Sequence, residues 1–211
     1  MELSPRDNTT SRQPWELRHT HLLDTAEQLF FEQGFAAVSL ADIAHAAGVS
    51  KPIAYRHFTT IDGAYVACAR RAQADFVREL VTRVDSSSPV RAQFASAADL
   101  VFALLETRPS RWELIYGSAE VLPAHSREDL AQLRSDTVST IYTLIVKDVP
   151  NVPDLFAEGL AHAMAGAAER LGHWWRSRPD LDRTQLVEAY ADIFYGAVAR
   201  YVESPEPTSC T

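Results

Sequence analysis

The sequence predicts an all-α chain. Apolar residues recur at spacings of three and four over most of its length, which places them on single faces of helices. No segment shows the alternating apolar and polar pattern of a strand. Gly, Pro and Ser residues stand between the periodic stretches, where helices stop and start. With 211 residues the chain can bury a substantial core, as one large domain or as a small domain joined to a larger one. Its composition, 46% hydrophobic and 23% charged, is that of a soluble globular protein.

Residues 1–15 are polar and interrupted by Pro5 and Pro14, and read as a flexible arm. A first helix spans Glu16 to Gln33, with Leu22, Ala26, Leu29 and Phe30 on one face, and stops at Gly34. Two short helices follow between Ser39 and Phe58. A fourth begins after Thr59-Thr60, has Asp62 near its positive end, and carries Tyr65, Ala69, Ala72, Phe76 and Leu80 to about Arg83. Ser86-Ser87-Ser88-Pro89 is the clearest break. A fifth helix runs from Val90 to Glu106, and past Pro109 a short sixth holds Trp112, Leu114, Ile115 and Tyr116. Ser126 to Asp129 has the spacing of a capping box and is expected to open the seventh, which carries Leu130, Leu133, Ile141, Leu144 and Ile145. Two long, unusually apolar helices close the chain, over 153–177 and 183–203. Residues 204–211 read as a disordered tail.

The two short helices are the informative segment. Leu40, Ile43, Ala44 and Ala47 form one apolar stripe, and Ser39 stands at the N-cap position. Gly48 suits the left-handed residue that ends a helix, because it has no Cβ to clash. Ser50 can cap the next helix, and Pro52 lies in its first turn, where a missing N–H costs nothing. Ala54 and Phe58 face inward, which leaves Lys51, Ile53, Tyr55 and His57 pointing elsewhere. This is a helix-turn-helix able to place its second helix in a DNA major groove.

From about Leu17 to Tyr65 the chain resembles the tetracycline-repressor (TetR) family of bacterial regulators. The resemblance rests on Asp42-Ile43-Ala44, on Ala47-Gly48-Val49-Ser50-Lys51, and on Tyr55-Arg56-His57-Phe58, preceded by Glu32-Gln33-Gly34-Phe35. It implies an N-terminal three-helix DNA-binding domain over 16–62 and a C-terminal helical domain over 63–203 for effector binding and dimerisation. It also implies that Ser50, Lys51, Tyr55 and His57 contact DNA, with Tyr55 and His57 donating to phosphates and so fixing register. Ser39 would add a phosphate contact at the start of its helix. Pro52 and Ile53 would present apolar surface to the groove, suited to a thymine methyl. Arg56 would reach a phosphate, and Arg12 and Arg18 are weaker candidates at the flank. Two positions depart from the family pattern. Pro52 stands where many relatives have glycine, and Ile61 stands where a phosphate-binding lysine is usual.

The net charge of −8 argues for acidity of the whole, yet Asp42 is the only acid between Ser39 and Thr60, against Lys51 and Arg56. The reading surface is locally basic, and its non-specific electrostatic attraction should be small. The resemblance implies a homodimer built from the last two helices, where Ala161, Ala163, Ala165, Gly166 and Gly172 allow close approach of another helix. It further implies a pocket for a small apolar or aromatic effector. Candidate lining residues are Phe102, Trp112, Tyr116, Tyr142 and Trp175, with His162 as a polar contact. Repression is the expected mode, with a double-stranded DNA operator as partner. A dimeric helical protein that binds ligand or partner without an operator is the alternative.

No enzyme signature appears. Glu158 with His162 and Glu169 with His173 lie four apart, a spacing that surface pairing explains and that di-iron bundles do not use. There is no glycine-rich phosphate loop and no nucleophile elbow. Catalytic residues, metal and cofactor are therefore expected to be none. Cys68 and Cys210 make neither a disulfide framework nor a metal spacing, and no run of eighteen apolar residues spans a membrane. A cytoplasmic setting is expected.

Overall fold

The computed structural model describes residues 15–117 and 119–202. The expected tail, Arg12 and all but the last residue of the expected arm lie outside them. The described residues form helices α1 (Trp15–Gln33), α2 (Leu40–Ala46), α3 (Lys51–His57), α4 (Ile61–Arg83), α5 (Val90–Thr107), α6 (Pro109–Tyr116), α7 (Ala124–Asp148), α8 (Asp154–Trp175) and α9 (Arg183–Val202). A single 3₁₀ turn, Phe35–Ala37, separates α1 from α2. The described residues are all α, and the expected boundaries agree to within about three residues.

Local chemistry explains most of these boundaries. Gly34 ends α1 at φ 80°, a conformation that favours glycine. Thr60 caps α4, its hydroxyl accepting from the Gly63 N–H at 3.1 Å. Pro109 sits in the first turn of α6, after α5 has stopped at Thr107. Asp182 and Gln185 form a reciprocal capping box at α9, with backbone-to-side-chain distances of 2.8 and 3.2 Å.

The capping box expected at Ser126 is not there. α7 starts three residues earlier, after Pro123 at φ −55°. Ser126 is buried, and its hydroxyl donates to Asp62 Oδ2 at 2.7 Å. A proline already fixed near helical φ can begin the helix without a side-chain cap. That frees the serine to satisfy a carboxylate that burial would otherwise penalise.

Two buried layers meet at α4. On one side α1, α2 and α3 enclose Leu22, Ala26, Phe30, Ile43, Ala44, Ala54 and Phe58. Phe30, Phe35 and Tyr65 form a ring cluster with centroids 5.2 to 6.0 Å apart, which cements α1 to α4. On the other side α5 packs along α9, and α7 packs against both α4 and α8. α4 and α7 run parallel: Asp62 meets Ser126 and Gln73 meets Thr137, each pair 64 positions apart. Gly172 of α8 lies flat against the Trp112 indole, where a Cβ would approach to 2.3 Å. This glycine therefore admits a side chain of its own chain rather than another helix.

Ion pairs join the two layers. Arg71 of α4 holds Asp24 at 2.6 Å and Glu27 at 2.8 Å, both on α1. Ser110 donates to the other oxygen of Glu27, and Arg111 spans from Glu27 to Asp75. Apart from the exposed Asp24 these ionic side chains are largely shielded, so that part of the network is less screened than an exposed pair.

Candidate nucleic-acid interface and interior cavity

Backbone and capping hydrogen bonds hold both ends of α2. The Ser39 hydroxyl accepts from the Asp42 N–H at 3.2 Å, and an Asp42 oxygen accepts from the Ser39 N–H at 2.9 Å. At the other end of α2, the Val49 N–H bonds to the Ala44 carbonyl and the Gly48 N–H to that of His45. This is a Schellman closure with Gly48 at φ 65°. Ser50 stands at the N-cap of α3 without a side-chain bond, so its hydroxyl remains available.

Buried Ala54 and Phe58 set the roll of α3. Ser50, Lys51, Pro52, Tyr55 and Arg56 are therefore exposed on the outer side, with Ile53 half-buried at the margin. Ser39 is exposed too, but its hydroxyl also donates to Asp42 Oδ2 at 2.5 Å. That bond chiefly holds the Asp42 carboxyl below its usual range. A phosphate contact from this hydroxyl would have to break it, beside a negative charge.

His57 departs from its expected role. Its ring stacks on Trp15, centroids 3.7 Å apart, and its Nδ1 lies 3.2 Å from Nδ1 of His19. Its Nε2 is buried without a partner. Neither nitrogen offers a free N–H to a phosphate, so His57 anchors α3 to α1 instead. Burial pushes both histidines below their usual pKa of 6.5, reinforced at His57 by His19, Arg56 and Arg18 and at His19 by Arg71. Trp15 also carries the Arg56 guanidinium 5.3 Å over its ring, and His21 donates to the Ala47 carbonyl at 3.2 Å. The sequence reading missed Trp15 and His19. Their i, i+4 spacing at the head of α1 was the available signal.

Behind α4 lies a narrow cavity of about 60 Å³, partly open to solvent. Phe76, Leu80, Phe94, Val101, Ile145, Met164 and Tyr190 make most of its wall. Tyr116 is the one expected effector residue that lines it. Phe102 and Trp112 are fully buried beside it: Phe102 packs edge-on to Trp175 and Tyr190, and Trp112 packs against Tyr116. Trp175 is tied by its indole N–H to the Leu181 carbonyl at 2.7 Å. Tyr142 and His162 lie on the outer surface, where Tyr142 donates to Asp154. Helical spacing does not separate an aromatic that lines a space from one that fills the core beside it. Two polar residues of the wall, Gln93 and Asp148, were not anticipated.

An exposed, locally basic helix on a capped helix-turn-helix, carried by a helical body with an apolar cavity, defines a DNA-binding regulator of transcription. Residues 22–67 match the model of the bacterial regulatory proteins of the tetR family. The chain is 22% identical over 192 residues to the HTH-type transcriptional activator FasR of Mycolicibacterium smegmatis, across 90% of this chain and 86% of that protein. Its fold is similar to a tetR-family transcriptional regulator from Streptomyces coelicolor (TM-score 0.73, 21% identity, 92% of this chain and 86% of that one). It is also similar to the fatty acid degradation regulator FadR from Bacillus halodurans (TM-score 0.71, 14% identity, 88% and 96%). Residues 22–67 thus carry the helix-turn-helix of the tetR-family bacterial regulatory proteins, and the chain as a whole is similar to HTH-type transcriptional regulators. Among the described residues, no helix is long and apolar enough to cross a membrane.

Proposed function

We propose that the protein acts as a homodimer that occupies a palindromic operator through two copies of α3 and represses transcription until a small apolar or aromatic effector enters the cavity. The observation that carries this reading is the outer face of α3, with Lys51, Pro52, Tyr55 and Arg56 exposed together on a helix whose roll is set by buried neighbours. Ser50, Lys51, Tyr55 and Arg56 hold the phosphates, while Pro52 and Ile53 meet base edges. Residues 16–62 act as the reading head and 63–203 as the effector and dimerisation body. α4 carries the shift between them, and the effector acts only through its different affinity for the two head spacings.

The outer faces of α8 and α9 support the dimer. Leu155 and Ile193 are 82% and 62% exposed, and Gly159, Gly166 and Gly196 have open space where a Cβ would stand. Large apolar groups beside bare backbone suit a second copy of the same helix pair. The solution mass should be about twice 23.4 kDa.

Selection from a pool of random duplexes at moderate salt tests the operator. A palindrome should be enriched by the wild type and by no Lys51→Ala, Tyr55→Ala double variant. Absence of enrichment, with wild type and double variant binding bulk DNA equally, would turn the reading to a ligand- or partner-binding dimer, which the net charge of −8 would then suit. A promoter–reporter fusion decides between repression and the activation named for the Mycolicibacterium relative.

A further inference from the structure

The cavity has two chemically different ends. Tyr116, held beside the α6 terminus, marks the end nearer the reading head. The far end lies where α4 and α7 finish and α5 begins, and there stand Val84, Val90, Gln93, Asp148 and Val149. The distinctive polar atom at this end is an acceptor. Asp148 Oδ2 has no exposure to solvent and no hydrogen-bond partner. Gln93 donates one of its two amide N–H groups to the Ser88 carbonyl at 2.9 Å, and its amide oxygen can accept from an occupant. Among the described residues no Lys or Arg forms an ion pair with Asp148, and its neighbour Lys147 is exposed.

The position is unfavourable on three counts. A shielded carboxylate oxygen without a donor has lost hydration and gained nothing. Asp148 also occupies the last turn of α7, where the negative end of the helix dipole repels it. Finally, apart from Gln93 the wall around it is aliphatic, and no cation stands opposite. One kind of occupant relieves all three: a group that donates hydrogen bonds, carries positive charge and trails an apolar body.

We propose that the effector is an amphipathic amine, whose protonated nitrogen meets Asp148 and Gln93 while its apolar portion runs along Phe94, Ile145 and Met164 toward Tyr116. The inference rests on the cavity being the effector site. It adds the chemistry of the head group and places it at the far end. An anionic head, such as a carboxylate, would face Asp148 and the dipole of α7 and is selected against.

Three probes with one body and three heads test it: octylamine, octanol and octanoate, titrated calorimetrically into the full-length protein at neutral pH. Octylamine should bind about tenfold or more tighter than octanol, the size of a charge-assisted hydrogen bond, and octanoate should bind weakest. Asp148→Asn keeps the shape and removes the charge. It should cost octylamine about tenfold or more while leaving octanol within about threefold, and should raise the melting temperature of the empty protein. Tightest binding of octanoate, or an unchanged amine preference in Asp148→Asn, overturns the head-group assignment and leaves the cavity as the site. If Ala97→Trp, which fills the cavity, leaves octylamine binding intact, or if no probe binds the wild type, the cavity reading fails and the inference falls with it.

Discussion

The reading head and the body solve opposite problems with the same helices. In the head, α2 and α3 bury one stripe so that the other side can be offered to a partner. The offered residues are those left over once Ala54 and Phe58 have turned inward. In the body, the functional groups face inward, and which of them reach the cavity depends on how six helices meet. An outward site is the complement of a local pattern. An inward site is a property of packing.

Substitutions can break or sharpen this contrast, beginning with the largest effect. Trp112→Ala removes a fully buried indole that fits the bare backbone of Gly172, and should destabilise the protein by about 3–5 kcal/mol. Denaturant titration measures it, and a loss near zero would mean that the body tolerates voids. Lys51→Ala with Tyr55→Ala should weaken operator binding on the order of 100-fold, with thermal stability unchanged. If stability fell in parallel, the outward face would not be separable from the core. Gly48→Ala forces a left-handed residue to carry a Cβ and should cost about 1 kcal/mol, felt in the head first.

The paired histidines give a smaller, pH-dependent effect. Because burial lowers the folded pKa of His19 and His57, the unfolded chain takes up protons first. Their stabilisation is complete above about pH 6.5 and is lost progressively as pH falls below it. The stability difference between wild type and His19→Gln should therefore shrink between pH 8 and pH 5; a constant difference would exclude the pair as its source. Smallest of all, Ile61→Lys should strengthen DNA binding to all sequences about equally and steepen its salt dependence by about one phosphate contact per subunit. Unchanged affinity and slope would mean that the start of α4 does not approach the duplex.

Much of the head was legible in the sequence, because Ser39, Gly48, Pro52 and the Leu40 stripe each act within a few residues. The exception is His57, whose ring is packed against Trp15 and His19, 42 and 38 positions earlier. Helix ends in the body were legible for the same local reasons, except at Ser126, where a buried partner on α4 took precedence over a cap. Lining of the cavity was not legible. Phe102, Trp112 and Tyr116 share one composition signal, yet only Tyr116 borders the space. Asp148 carried a signal of another kind, an acid at the wrong end of a helix dipole.

The constant separation of 64 between α4 and α7 also bears on which changes of length the chain can accept. Leu80 and Leu144, and Val84 and Asp148, all on the cavity wall, stand at the same separation in sequence. The two helices thus act as a ruler, pinned at Asp62 and Ser126 and read at Asp148. A residue gained or lost inside either helix turns everything beyond it by about 100° and slides it about 1.5 Å. Such a change would keep both helices and lose the correspondence between them. Insertions in the loops after α4 and α6 leave the ruler intact, so drift in length should collect there and be purged from the helices.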